Sequence, residues 1–173
     1  MMDLRRIIEA ILFSSPRPVR VKTLCKKLEG YKDNDIKQAL KELTEEYHSP
    51  DRSIEIVPVS GGYQMRTRIE YREWVKKFVK ERNTGLTRPM LEALSLIAYK
   101  QPITKKEIDT LRGVDSARVI KQLIEKRLIQ IGGRTEDVGK PMVFTTTDTF
   151  LEVYGLKHIE DLPTLKEIKE LEK

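Results

Sequence analysis

The sequence predicts a mainly α-helical chain carrying small β-hairpins, an α+β class. Three observations lead there. Apolar residues recur at three- and four-residue spacing in several short stretches, the pattern of amphipathic helices. After each third stretch come alternating apolar residues around a glycine-containing turn, the pattern of a hairpin. The whole order then runs twice along 173 residues, a length that holds two domains of about 80 residues, each with a modest core. Helix, short extended segment, helix, helix and hairpin make the winged-helix arrangement, in which the third helix and the hairpin form adjacent exposed surfaces. The expected architecture is a tandem of winged-helix domains.

In the first copy, Leu4, Ile7, Ile8, Ile11 and Leu12 mark a helix that Pro16 and Pro18 end. Pro18 to Val21 reads as a short extended element. Lys22 to Leu28 reads as a second helix with Leu24, Cys25 and Leu28 inward, stopped by Gly30. Asp33 or Asn34 is suited to cap a third helix whose buried face is Ile36, Leu40 and Leu43, ending near His48-Ser49-Pro50. A strand over Ile54 to Val59, a turn at Gly61-Gly62 and a return through Tyr63, Met65 and Thr67 complete the hairpin. A closing helix is expected from Glu70 to Lys80, with Trp74 as its core anchor.

The second copy opens at Thr87-Arg88-Pro89, with proline in the first turn of a helix that continues through the apolar run Leu91 to Tyr99. Gln101-Pro102-Ile103 is the short extended element. Thr104 and Glu107 have the spacing of a capping box, Ile108 and Leu111 form the inner face of the next helix, and Gly113 ends it. Asp115 or Ser116 caps a third helix running to Lys126. Leu128 to Ile131 is a strand, Gly132 to Gly139 a longer wing tip, and Pro141 to Thr145 the return. Thr147 or Asp148 caps a last helix that stops near Gly155.

Residue matches support duplication. Ile7-Ile8-Glu9-Ala10-Ile11 aligns with Met90-Leu91-Glu92-Ala93-Leu94, and the same offset superposes Cys25 on Ile108, Leu28 on Leu111 and Gly30 on Gly113. The expected domains are residues 1–82 and 86–163, joined by the polar linker Arg82-Asn83-Thr84-Gly85, with a loose tail over 164–173.

Composition narrows the function classes. With 39% hydrophobic and 35% charged residues, the chain is of the soluble globular kind. It has no run of 18 apolar residues to span a membrane, and no small-residue cleavage site follows the apolar stretch Ile7 to Phe13. The single Cys25 reads as a buried helix residue in a reducing compartment, so a cytoplasmic location is expected. The net charge of +6 lies mainly in residues 1–83, interspersed with acids. Two histidines, His48 and His158, have no partners at catalytic or metal-ligand spacing. Gly132-Gly133-Arg134 and Gly139-Lys140-Pro141 lack the Gly-Lys-Ser/Thr of a nucleotide loop. No enzyme, cofactor, metal or small-molecule substrate is expected.

Beyond these patterns stands a more specific run: Ala93-Leu94-Ser95-Leu96-Ile97-Ala98-Tyr99-Lys100-Gln101-Pro102-Ile103-Thr104, then Leu111-Arg112-Gly113-Val114, Gly133-Arg134, Gly139-Lys140-Pro141, Tyr154-Gly155-Leu156 and Asp161-Leu162-Pro163. It strongly resembles the segregation and condensation protein B family over most of residues 86–163. The first half is similar more loosely, through Ile8 to Phe13 and Gly62-Tyr63. Lys140 stands where that family often has Arg, and Thr145 where Gly is common. The resemblance implies a homodimeric tandem winged-helix scaffold of a bacterial-type condensin, acting in chromosome condensation and partition and associated with the nucleoid. The implied partners are the kleisin, segregation and condensation protein A, and through it the structural maintenance of chromosomes ATPase. The N-terminal domain is implied in dimerisation and the C-terminal domain in kleisin binding.

Candidate partner contacts are Leu96, Tyr99 and Lys100, where an aromatic ring and a cation precede a rigid Pro102. Candidate dimer contacts are Ile7, Ile11 and Phe13. The alternative function is a DNA-binding transcriptional regulator, with Arg118, Lys121, Arg134 and Lys140 as candidate contacts. Acidic neighbours on both third helices, Glu42, Glu45, Glu46 and Glu125, oppose tight groove insertion, so contact with DNA is expected to be weak or indirect.

Overall fold

The computed structural model describes residues 3–79, 85–164, 167 and 170. The chain divides into two compact units, Met1–Arg82 and Asn83–Lys173.

In the first unit, α1 (Leu4–Ser14) begins where the Asp3 carboxylate accepts from the Arg5 amide at 3.0 Å. Helices α2 (Val21–Lys27) and α3 (Asp33–Tyr47) follow. Ile8, Leu12, Leu24, Ile36, Leu40 and Leu43 form the core, with Tyr47 and Ile56 beside them. The cap of α3 differs from expectation: Lys32 occupies it with no side-chain bond, and Asp33 and Asp35 lie in the first turn, where they favour the helix dipole. The C-terminal carbonyls of α3 are covered instead by Arg68, whose guanidinium donates to the carbonyls of Tyr47, His48 and Ser49 at 3.2, 2.8 and 2.9 Å.

Strands β1 (Ile54–Val59) and β2 (Gly62–Thr67) pair antiparallel with Val59 opposite Gly62. The turn therefore centres on Ser60 and Gly61, both at positive φ, as a type I′ hairpin requires. Gly62 meets a different constraint. A Cβ there would lie 2.8 Å from the Val19 carbonyl oxygen, because Val19 bridges to Tyr63 as a one-residue third strand.

The closing helix is shorter than predicted. A 3₁₀ turn, Ile69–Tyr71, leads into α4 (Arg72–Lys76), and Lys80 falls outside the described residues. Trp74 is no core anchor: it is 64% exposed, with the Lys77 ammonium 4.3 Å from its ring centre. Periodicity identified a face, but among the described residues the ring stays exposed. Cys25 is half-buried where full burial was expected.

In the second unit, α5 (Arg88–Lys100) carries Met90, Ala93, Leu94, Ile97 and Ala98 into the core. Strand β3 (Ile103–Thr104) leads into α6 (Lys105–Arg112), whose capping box between Thr104 and Glu107 is present in both directions and whose end is Gly113 in the left-handed region. Helix α7 (Ala117–Glu125), β4 (Ile129–Arg134), β5 (Met142–Thr146) and α8 (Asp148–Tyr154) complete the order. The sheet order is β3-β5-β4. Gly132 and Gly133, expected in the wing tip, lie within β4 at a register shift between Ile131 and Gly133. A Cβ on Gly132 would stand 2.7 Å from the Thr145 methyl, which is why the strand can carry glycine there. Thr147 caps α8 by accepting from the Phe150 amide at 3.2 Å, and Gly155 ends it.

The predicted linker residues 82–84 and most of the tail lie outside the described residues. The fold class is as the sequence predicts: helical with small antiparallel sheets, each unit showing helix, extended segment, helix, helix and hairpin.

Candidate protein-interaction surfaces

The end of α5 sits between two concavities of the second unit. One is an open groove of about 1150 Å³ between α6 and the wing, lined by Lys100, Pro102, Lys106, Leu111, Val138 and Pro141 among others. The other is a cleft of about 350 Å³ lined by Tyr99, Gln101, Ile159, Leu162 and Pro163. Lys100 faces the first and Tyr99 the second. The Tyr99 hydroxyl donates to the Pro163 carbonyl at 2.7 Å, tying the 3₁₀ turn Ile159–Asp161 and its continuation to α5. Leu96 is half-buried and packs on the core. The three predicted partner contacts thus have different roles and do not share one patch.

Leu111 was expected to face inward and does not. It is 51% exposed and lines the groove, opposite the fully exposed Val138 of the wing tip. Its signal in the sequence was the missing neighbour: the inner stripe of so short a helix is already filled by Ile108, the buried residue of α6.

A polar network ties α6 to the start of α7. The Asp109 carboxylate accepts from the Ser116 amide at 2.8 Å and from the Lys105 ammonium at 2.6 Å, and Lys105 also reaches Asp115. Ser116 is fully buried, its hydroxyl accepting from Arg112 at 2.9 Å. Lys105 holds the Asp109 and Asp115 carboxyls below their usual range, and both carboxylates push the Lys105 ammonium up. The Thr104 hydroxyl and amide lower Glu107 in the same way. Every strongly perturbed group here is explained by an ion pair or a cap. Among the described residues no cluster of His, Cys, Asp and Glu could hold a metal ion. No helix of the described residues is long and apolar enough to cross a membrane.

Residues 6–165 match the family described as segregation and condensation complex subunit ScpB. The chain belongs to this family. Segregation and condensation protein B of Syntrophotalea carbinolica is 45% identical over 172 residues, covering 99% of this chain and 87% of the relative. That of Alkaliphilus metalliredigens is 43% identical over 166 residues, covering 95% and 87%. The crystal structure of ScpB from Mycobacterium tuberculosis is 31% identical, covers 90% of this chain and 99% of its own, and superposes with a TM-score of 0.41.

Within this member of the ScpB family, the remaining candidates separate clearly. On α1, Ile7 and Ile11 are half-buried and one turn apart, and Ile11 packs on the core. Phe13 is 77% exposed and lies roughly 120° round the helix from Ile7, so the three do not form a single face. Arg118 and Lys121 are exposed on α7, and Arg134 and Lys140 meet in the wing, where the Arg134 guanidinium donates to the Lys140 carbonyl at 3.0 Å. On the outer face of α3, Gln38 donates to Glu42 at 2.8 Å and Lys41 lies 3.9 Å from Glu45, and the helix as a whole carries five acids against two lysines.

Proposed function

We propose that this chain is a non-enzymatic, cytoplasmic scaffold of a bacterial-type condensin at the nucleoid, serving chromosome condensation and partition. It binds the kleisin, segregation and condensation protein A, and through it the structural maintenance of chromosomes ATPase. It works as a homodimer through its first domain and engages the kleisin through its second. The observation that carries this reading is the family match over residues 6–165 to a complex subunit. The groove between α6 and the wing supports it. Leu111 and Val138 offer apolar surface that a single winged helix has no reason to leave open, and Lys100 and Lys106 stand at its edge. Tyr99 acts beside it by holding the segment up to Pro163.

Glu42, Glu45 and Glu46 on α3 and Glu125 on α7 favour a protein interface over base reading, which sets the transcriptional-regulator alternative behind the scaffold. Calorimetry of the full chain with its cognate kleisin is the test. A stable complex is expected, weakened at least tenfold, about 1.4 kcal/mol, by Leu111→Asp combined with Lys100→Glu. Phe13→Asp should shift the dimer towards monomer in light scattering while leaving kleisin contacts of the second domain in place. Absence of any complex with the wild-type chain would sink the proposal.

A further inference from the structure

We propose that the outer face of α2 is a docking surface for the phosphate backbone of duplex DNA, read without regard to base sequence. Between Glu9 and Glu29 the chain contains no acidic residue and five basic ones: Arg17, Arg20, Lys22, Lys26 and Lys27. All five are exposed. The inner stripe of α2 is Val21, Leu24 and Cys25, with Leu28 following, so Lys22, Thr23, Lys26 and Lys27 make up its whole outward side. Lys22 and Lys26 stand one turn apart, about 6 Å. Pairing of Val19 with Tyr63 by bonds of 2.8 and 2.9 Å fixes the preceding segment, and with it Arg17 and Arg20, beside the wing. Phosphate-binding chemistry is therefore presented on a rigid frame, not on a loose tail.

The second unit provides an internal comparison. At the offset that aligns the two copies, Lys22, Thr23, Lys26 and Lys27 correspond to Lys105, Lys106, Asp109 and Thr110. Asp109 and Asp115 neutralise Lys105 there, so α6 presents a mixed face. The fold does not demand a cationic helix at this position, and only the first copy carries one. The outward side of α2 also has no aromatic or aliphatic residue to anchor a protein partner. Uniform positive charge without an apolar centre complements a uniform polyanion. The adjacent α3 carries Glu42, Glu45 and Glu46, which oppose insertion into a groove, so the contact reads phosphate alone.

The experiment is fluorescence anisotropy of the full chain on two unrelated duplexes of about 30 base pairs, titrated at several salt concentrations. Arg20 already interacts within the chain, so Arg17 and the three lysines predict a log–log salt slope near −3.6, an affinity loss of about 150-fold from about 50 to about 200 mM salt, equal for both sequences. Lys22→Gln, Lys26→Gln and Lys27→Gln together should bring the slope to about −0.9. Lys22→Gln alone should reduce its magnitude by about 0.9, which keeps the test informative if the triple variant folds poorly. Any of four results overturns the proposal: no binding by the wild type at low salt; an unchanged slope in the lysine variants; loss of binding on Arg118→Gln with Lys121→Gln instead; or stronger competition by polyglutamate than by unlabelled duplex.

Discussion

Gly62→Ala tests how the wing is attached to the rest of the first unit. The φ of Gly62 is not in the left-handed region, so alanine meets no intrinsic backbone penalty there. On conformational entropy alone the substitution would stabilise the chain by about 0.4–1 kcal/mol. Packing predicts the opposite sign. The new methyl would stand 2.8 Å from the Val19 oxygen, 2.9 Å from its carbonyl carbon and 3.1 Å from the Arg20 nitrogen, all backbone atoms with no rotamer to yield. Relief requires the Val19 segment to retreat by roughly half an ångström, which stretches both the Val19–Tyr63 bonds beyond useful length. Two such bonds contribute about 0.5–1.5 kcal/mol each, and residual crowding adds to this, so after the entropic gain is subtracted a net loss of about 1–2 kcal/mol is expected. Urea unfolding followed by the fluorescence of Trp74, the single tryptophan and a member of the same unit, measures it. Amide exchange at Val19 and Tyr63 should accelerate in parallel. A neutral or stabilising Gly62→Ala would refute the steric reasoning outright.

Two further outcomes concern the second unit. Glu107, Asp109 and Asp115 have carboxyls lowered in the folded state, so the stability they confer is present above the ordinary carboxylate range, about pH 4, and is lost as pH falls through their lowered values. Lys105, raised by the same partners, contributes below the ordinary lysine value, and that contribution is lost as pH rises through its raised one. Thermal melts across the acid range should show this unit losing stability there, and Asp109→Asn should flatten the slope; an unchanged slope would remove Asp109 from the account. Tyr99→Phe deletes the bond to Pro163 and should cost about 0.5–1.5 kcal/mol. Trypsin cleavage after Lys157 should quicken in that variant, and identical digestion would show that the hydroxyl does not hold the segment.

What the sequence made legible was whatever is settled within a few residues. The strand Ile54–Val59, the Thr104–Glu107 capping box, the Thr147 cap and the Gly113 and Gly155 stops follow from local chemistry and stand where their residue types predict, while the hairpin turn sits one residue earlier than expected, on Ser60 and Gly61, with Gly62 in the return strand. Trp74 and Leu111 show the limit. Helical spacing says which side chains share a face, but not whether another element arrives to cover it, and among the described residues both side chains stay exposed. Gly132 and Gly133 were misread for a related reason: a glycine that makes room for Thr145 looks, in one dimension, like a glycine that turns the chain. The candidate surface fared likewise. Leu96, Tyr99 and Lys100 are close in sequence, yet neighbours one position apart on a helix point about 100° apart, and the tertiary fold sends Tyr99 and Lys100 to different concavities.

The two copies solve one packing problem with different chemistry. Each must fix the turn between its second and third helices, because that turn sets how the third helix lies on the core. In the second unit the junction is braced by charge. Asp109 accepts from the buried Ser116 amide, and Arg112, its side chain 6% exposed, reaches Ser116 and Glu92. A network of this kind is costly to break in part, since each lost member leaves a buried polar group unpaired. In the first unit the corresponding helix offers Lys26 where Asp109 stands, and no carboxylate is available from that face. There Asp33 interacts instead with the half-buried Cys25. Burial first and Asp33 second push the Cys25 thiol up. The second junction places Asp109 on the outer side of α6, whereas α2 places Lys26 at the corresponding position, so the two copies differ in surface charge where the second anchors its turn.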